Sequence, residues 1–224
     1  MWKSRFHKAL PDIVRDYPKV SWLHLTLGVQ NCNITSLRDT LKLMNAAWKR
    51  VSELKKFPGI GYFKSLEITR GSDGSAHPHF HILLMVEPRY FGGNYINQKE
   101  WIEIWKKALR ADYDPTAHIQ SIKDISGSDN LLNAIKEVVK YSVKAADLTA
   151  DKEWLAELTK QVHKTRAISL GGILKLYLSE NEPTDEELIA GEALEEFDQT
   201  DDPDILALWD KPDGRYTVVE EVDN

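Results

Sequence analysis

Three histidines alternate in His77-Pro78-His79-Phe80-His81, at the head of an apolar run that continues to Val86. In a strand, residues two apart share a face, so the three imidazoles would project from one side. Phe80, Ile82, Leu84 and Val86 would project from the other. Two histidines one residue apart can ligate one metal ion from a rigid platform, because neutral imidazole offers a lone pair near neutral pH. A third ligand should come from an adjacent strand. Glu67, alternating with Leu66 and Ile68, is the best candidate. Two imidazoles and a carboxylate leave positions open for a substrate oxygen, which suits a metal acting as Lewis acid. The bland alternative is a surface strand with incidental histidines, and three in alternation beside an apolar face favour the metal site. His77 is the least tied to it; its other role would be to support the ligands or to contact nucleic acid.

The second constellation is Lys136-Glu137-Val138-Val139-Lys140-Tyr141-Ser142-Val143-Lys144. On a helix, Glu137 and Tyr141 are i,i+4 neighbours and Tyr141 and Lys144 are i,i+3 neighbours, which lines up an acid, a phenol and an ammonium. Tyrosine is a poor nucleophile at its free pKa of about 10. A nearby ammonium and a metal-polarised target would help it. On spacing alone the ordinary reading leads: solvated Glu and Lys pairs, with Tyr at the edge of a core. Gly171-Gly172 before Ile173-Leu174-Lys175 either opens a helix onto a phosphate or makes a tight turn. No Walker-type loop, H-E-x-x-H or G-x-S-x-G occurs, which removes the common NTPase, zincin and serine-hydrolase readings.

The elements that must position these residues follow from periodicity. Residues 1–20 read as a basic helix ended by Pro18. Ser21 to Gln30 alternates, with Leu23, Leu25, Leu27 and Val29 on one face and Trp22, His24 and Thr26 on the other, as a strand does. Leu37, Leu41, Met44, Trp48 and Val51 mark a helical face, introduced by Ser36 and Asp39 as a capping box and stopped by Pro58-Gly59. Gly61–Arg70 and His77–Val86 form a hairpin across GSDGSA. A helix is expected over Asn97–Arg110, a fourth strand over Ala117–Lys123, and helices over Asp129–Asp147 and Asp151–His163. The order β-α-β-β-α-β followed by helices predicts an α+β domain, a central antiparallel sheet with helices packed on it.

The chain has 224 residues, 42% hydrophobic, with seven Trp, eight Tyr and six Phe, which argues against wholesale disorder. The net charge of −6 conceals an asymmetry. From Glu180 onward, 17 Asp and Glu face only Lys211 and Arg215, a charge of −15, whereas the preceding body has 27 basic and 18 acidic residues, or +9. Domain limits of 1–179 for the body and 180–224 for an acidic tail follow, with a tail helix near Asp185–Phe197. A basic body is suited to a polyanion partner. The single Cys32 excludes an intrachain disulfide and paired-cysteine zinc modules. No apolar run approaches the roughly 20 residues of a membrane span, and the start lacks a signal-peptide core, so a cytoplasmic protein is expected.

Taken in order, three segments resemble the motifs of the plasmid rolling-circle replication initiators of the HUH endonuclease superfamily. Leu25-Thr26-Leu27 is similar to their first motif, an apolar strand with a central Thr. His77 through Leu84 is similar to the second, two histidines flanking a bulky apolar residue. Glu137 through Lys144 is similar to the third, where the nucleophilic Tyr lies three residues before a Lys. Arg166 with Gly171-Gly172 and Lys175 resembles a segment that follows. The likeness spans roughly Ser21 to Tyr177 and points to the subgroup with one catalytic Tyr and a Glu four residues before it. Many relatives are longer.

The resemblance implies a sequence-specific enzyme that nicks and rejoins single-stranded DNA. His79, His81 and Glu67 would hold Mn2+ or Mg2+ to polarise the scissile phosphate. Tyr141 would form a 5′-phosphotyrosine and free a 3′-hydroxyl that primes replication. Glu137 would activate the water that ends the cycle, and Lys144, or failing it Lys140, would orient the phosphate. DNA contacts would come from Lys64, Arg70, His77, Lys123, Lys140, Arg166 and Lys175. The partners would be plasmid origin DNA, single-stranded or extruded as a hairpin, with a host helicase and a single-strand-binding protein, and no membrane. The rival readings are a related transposase or mobilisation relaxase, a non-catalytic nucleic-acid binder on an α+β sheet, and a metal-dependent phosphoesterase.

Overall fold

The computed structural model describes residues 2–122, 135, 151–180, 207–210 and 215–218. Helix α1 (Trp2–Asp16) leads into β1 (Ser21–Gly28), whose Leu23, Leu25 and Leu27 are all buried, as the alternation predicts. Helix α2 (Leu37–Ser52) buries every residue of its expected face, Leu37, Leu41, Met44, Trp48 and Val51. Its start differs from expectation. Ser36 makes no side-chain cap; Asn33 instead accepts from Thr35 N at the head of a short 3-10 turn, and Asp39 pairs with Lys42. Strands β2 (Gly59–Arg70) and β3 (Ala76–Val86) make the hairpin. Helix α3 (Gln98–Leu109) opens with a true capping box between Asn97 and Glu100, and β4 (Ala117–Ile122) follows. Asp151 caps α4 (Lys152–Val162) by accepting from the backbone of Glu153 and Trp154.

Beyond α4 lies a strand that periodicity does not announce, β5 (Ile168–Gly172), which runs straight into α5 (Ile173–Glu180). Gly172 takes a left-handed φ of 57°, and a Cβ there would stand 2.1 Å from Ile60 O, so the strand-to-helix turn needs glycine. All pairings in the five-stranded sheet are antiparallel, in the order β4-β1-β3-β2-β5. The first four strands have the β-α-β-β-α-β arrangement expected, and β5 extends it at the β2 edge.

Two apolar clusters lie on the two faces. One joins Leu23, Leu25 and Leu27 of β1 and Phe80, Ile82, Leu84 and Val86 of β3 to α2, α3 and α4. The other joins Trp22, Phe63, Leu83 and Met85 to Phe6, Leu10 and Ile13 of α1, Leu174 and Leu178 of α5, and Ile135.

By its contacts the chain divides into two compact units, Met1–Glu182 and Pro183–Asn224. The second contains an antiparallel pair, β6 (Ala207–Asp210) with β7 (Arg215–Val218). The helices expected over 185–197 and, apart from Ile135, over 129–147 lie outside the described residues. Among the described residues no helix is long and apolar enough to cross a membrane.

Candidate functional site

Strand pairing gathers the histidines. Thr26, directly opposite His81, is also opposite His118 of β4, while Glu67 of β2 lies directly opposite His79 and Ser65 opposite His81. Opposed residues in antiparallel strands point the same way. His24, His77, His79, His81 and His118, five of the seven histidines in the chain, therefore share one sheet face with Glu67. Cross-strand register thus brings together His79, His81 and Glu67, with His77 beside them.

His81 Nε2 meets Glu67 Oε2 directly, and its Nδ1 lies 3.1 Å from His24 Nε2, with Thr26 Oγ1 3.4 Å beyond. The His24 and His81 rings stack with centroids 5.4 Å apart. Burial, then the neighbouring His81 and His118, push His24 down to about 4, so at neutral pH it is an uncharged imidazole. The neutral His24 Nε2 can therefore either accept a hydrogen bond from His81 Nδ1 or donate one to it, according to the tautomer, while His81 Nε2 faces Glu67. A carbonyl or side-chain acceptor on the far nitrogen is the usual way a protein fixes the tautomer of a metal-binding histidine. Neither His24 nor His118 is prominent in the sequence. Their signal is that each falls on the same alternating face as Thr26.

His79 is half-buried, and burial followed by the charge of His77 draws it below the ordinary imidazole range, against the pull of Glu67. Its ring tilts 59° against that of His77 at 4.7 Å. Glycine at position 28 makes room for it, since a Cβ there would sit 2.9 Å from the His79 ring and 2.3 Å from Thr116 Oγ1. The Gly28 carbonyl is meanwhile held by Trp105 Nε1 at 2.8 Å, so this backbone cannot easily retreat.

Two imidazoles and a carboxylate on one face are the right donor types for Mn2+ or Mg2+ with open positions. Among the described residues no three such side chains converge closely enough to hold a metal ion. Beside them a groove of about 900 Å³ runs past His77, lined by Asn31, Asn33, Asp73, Tyr113 and Thr116. Its polar, hydrogen-bonding walls adjoin the histidines through Thr116 and Gly28.

The expected DNA contacts separate. Lys64 is not on the histidine face. It alternates with Glu67 and so turns toward α2, where it is 1% exposed and its Nζ donates to Asn45 Oδ1 at 3.0 Å. Arg70 is likewise on the α2 side and is tied to Asp151, the α4 cap, at 2.7 Å. Its position is explained by holding α4 to the hairpin. Arg166 and Lys175 are exposed and line a different groove, beside α2. Lys123, Glu137, Lys140, Tyr141 and Lys144 lie outside the described residues. Ile135, two positions before Glu137, is fully buried in the cluster that contains Leu83, the next residue after His81 on the same face of β3.

Residues 1–217 match a family model described as "Replication protein". The chain is 35% identical to a "Replication protein" of Staphylococcus aureus over 230 residues, 95% of this chain and 97% of that one, and a "Replication protein" of a Bacillus species matches to the same extent. A "Protein rep" of Lactiplantibacillus plantarum is 34% identical over 96% of this chain and 74% of its own length. No solved structure matches.

Proposed function

The chain belongs to the replication protein family, and from that premise we propose that it starts plasmid rolling-circle replication by nicking one strand of origin DNA at the histidine face. The observation that carries this is the sheet register: His79, His81 and Glu67 share one face, beside a polar groove.

Glu67, His79 and His81 would hold a divalent ion, whose contribution when bound is to draw charge from a phosphate oxygen. The neutral His24 would fix the His81 ring. Tyr141 Oη would give up its proton and attack phosphorus. The phosphorus–O3′ bond breaks, the 3′ oxygen takes up a proton, and a 5′-phosphotyrosine forms. The phosphodiester energy is kept in the new ester, so rejoining needs no nucleotide, in keeping with a sequence that has no Walker loop. Lys144 or Lys140 would orient the phosphate, and Glu137 would take a proton from the water that releases the enzyme. The groove past His77, Asn31 and Asn33 is suited to hydrogen-bonding the bases beside the nick. Strand separation beyond the 3′-hydroxyl would fall to a host helicase and single-strand-binding protein in the cytoplasm.

The test is incubation with Mn2+ and a labelled hairpin oligonucleotide from the origin, followed by a denaturing gel. A protease-sensitive DNA adduct that vanishes in Tyr141→Phe is expected. Binding without cleavage across Mn2+, Mg2+ and several origin sequences would replace this reading with that of a binding module. Glu137→Gln should leave the first cleavage largely intact and slow release, and equal loss of both steps would remove the role given to Glu137.

A further inference from the structure

On the other side of the sheet, α2 and the β5 edge enclose a groove of about 690 Å³. One wall is a single face of α2: Arg38, Lys42, Asn45, Lys49 and Ser52 recur at spacings of four and three. That stripe is about 21 Å long at the helical rise. The opposite wall carries Lys164, Arg166 and Lys175, all exposed. Glu53 is the one carboxylate among the described lining residues, against seven cationic side chains. It stands 3.8 Å from Lys49, and Lys42 pairs with Asp39 at 2.9 Å. Both are exposed intrahelical pairs, which hold a lysine only weakly. Among the described residues no carboxylate pairs with Lys164, Arg166 or Lys175.

The floor is less usual. Lys64, 1% exposed, has for company the Asn45 amide oxygen and the face of Phe80, 3.7 Å from Nζ to the ring centroid. A buried ammonium without a carboxylate is costly. Burial, and then the nearby charge of Arg166, draw Lys64 down to about 7. An anion entering between the walls would supply the charge that the fold withholds.

We propose that this groove is a second nucleic-acid site, which grips the sugar–phosphate backbone of duplex origin DNA apart from the strand presented to the histidines. The inference rests on the reading of the chain as a DNA-nicking initiator. Duplex is favoured over single strand by the aromatic residues. Sequence-tolerant single-strand sites stack bases on free rings. Here Trp48, Phe57 and Tyr62 are locked edge-to-face on one another, at 5.0 to 6.2 Å and 82° to 88°. Two rows of cations without an open ring suit phosphates, which position a duplex without reading it.

The experiment uses the full chain and a labelled duplex, with affinity followed by fluorescence anisotropy over a salt series. In parallel, the chain nicks a short single-stranded origin oligonucleotide. The variant Lys42→Gln/Lys49→Gln/Lys164→Gln should bind duplex at least about tenfold more weakly, with the slope of log K against log salt reduced by about 2 to 3. Nicking of the short single strand should persist, and arginine at the same three positions should restore duplex binding. Unchanged duplex affinity and slope would overturn the proposal. So would an equal fall on single strand and duplex, which would mean a diffuse field rather than a groove. A wild-type chain that binds duplex through these lysines yet nicks nothing would sustain the groove and remove the nicking reading instead.

Discussion

Strand β3 shows how differently the two faces of one sheet are used. Its even-numbered residues Phe80, Ile82, Leu84 and Val86 are all fully buried beneath α2, α3 and α4. Its odd-numbered residues change character along the strand: His77, His79 and His81 are half-buried, then Leu83 and Met85 are buried in the second cluster, with α1 and α5. Among the described residues, the apolar cluster on that second face takes in Leu83 and Met85 but none of the three histidines. Among the described residues, the same eleven-residue strand thus joins an apolar cluster along its whole length on one side and over half its length on the other. An apolar face anchored throughout gives the polar half a rigid base, which the proposed phosphate site would require. The difference teaches that stability and chemistry can be altered separately in neighbouring residues.

The largest effect should come from testing that separation directly. Phe80→Ala removes a fully buried ring and should destabilise the fold by about 3 to 5 kcal/mol, seen as a large fall in thermal midpoint. His81→Ala, one residue on, should leave the midpoint close to wild type while reducing Mn2+-dependent nicking by at least about a hundredfold, a loss of about 3 kcal/mol of transition-state stabilisation. If His81→Ala unfolds the chain as severely as Phe80→Ala, the histidine half is structural and the contrast between the faces disappears.

A smaller effect sharpens the contrast within the histidine half. His24 touches His81 but would not touch a substrate, so His24→Ala should weaken Mn2+ affinity by about 10- to 100-fold, the usual cost of removing a partner behind a ligand. His24→Gln keeps an acceptor in reach and should recover part of the loss. His118 is exposed and makes no hydrogen bond to His81, so His118→Ala should lie within about twofold of wild type. Manganese titration by calorimetry checks all three. Equal losses at 24 and 118 would show that the charge of the cluster matters rather than the contact.

Much of this arrangement was legible in the sequence because two signals coincide. Alternation over Leu23 to Leu27 and over Phe80 to Val86 set both strands and the facing of His79 and His81, and the spacing from Leu37 to Val51 set α2. What escaped lacks such coincidence. Ile168–Gly172 holds two glycines and only two large apolar residues, and it is a strand because the β2 edge is there to pair with it. Ser36 has the residue type of a cap, but the chain turns earlier, at Asn33, and its hydroxyl is left out of the helix start. Alternation puts Glu67 beside the histidines and Lys64 on the opposite side with Leu66 and Ile68, so a DNA contact at Lys64 would be made away from the histidine face. The Tyr141 segment lies outside the described residues, and its helical spacing and family resemblance remain an expectation.

Lys64 is also the exception to the apolar face, and pH exposes it. Its folded value of about 7 lies below the 10.5 of an unfolded lysine. Between these limits the unfolded chain binds a proton that the folded chain does not, so stability must rise with pH, at up to about 1.4 kcal/mol per pH unit from this group. Below pH 7 both states carry the charge and this contribution to the slope vanishes. Lys64→Met keeps the stem against Phe80 and removes the titration. The wild-type chain should therefore gain on the variant, by about 1 kcal/mol, when denaturant midpoints are compared at pH 7 and pH 8. Parallel curves for the two chains would mean that Lys64 stays charged in the fold, supplied with a counter-charge that the α2 face does not show among its described residues.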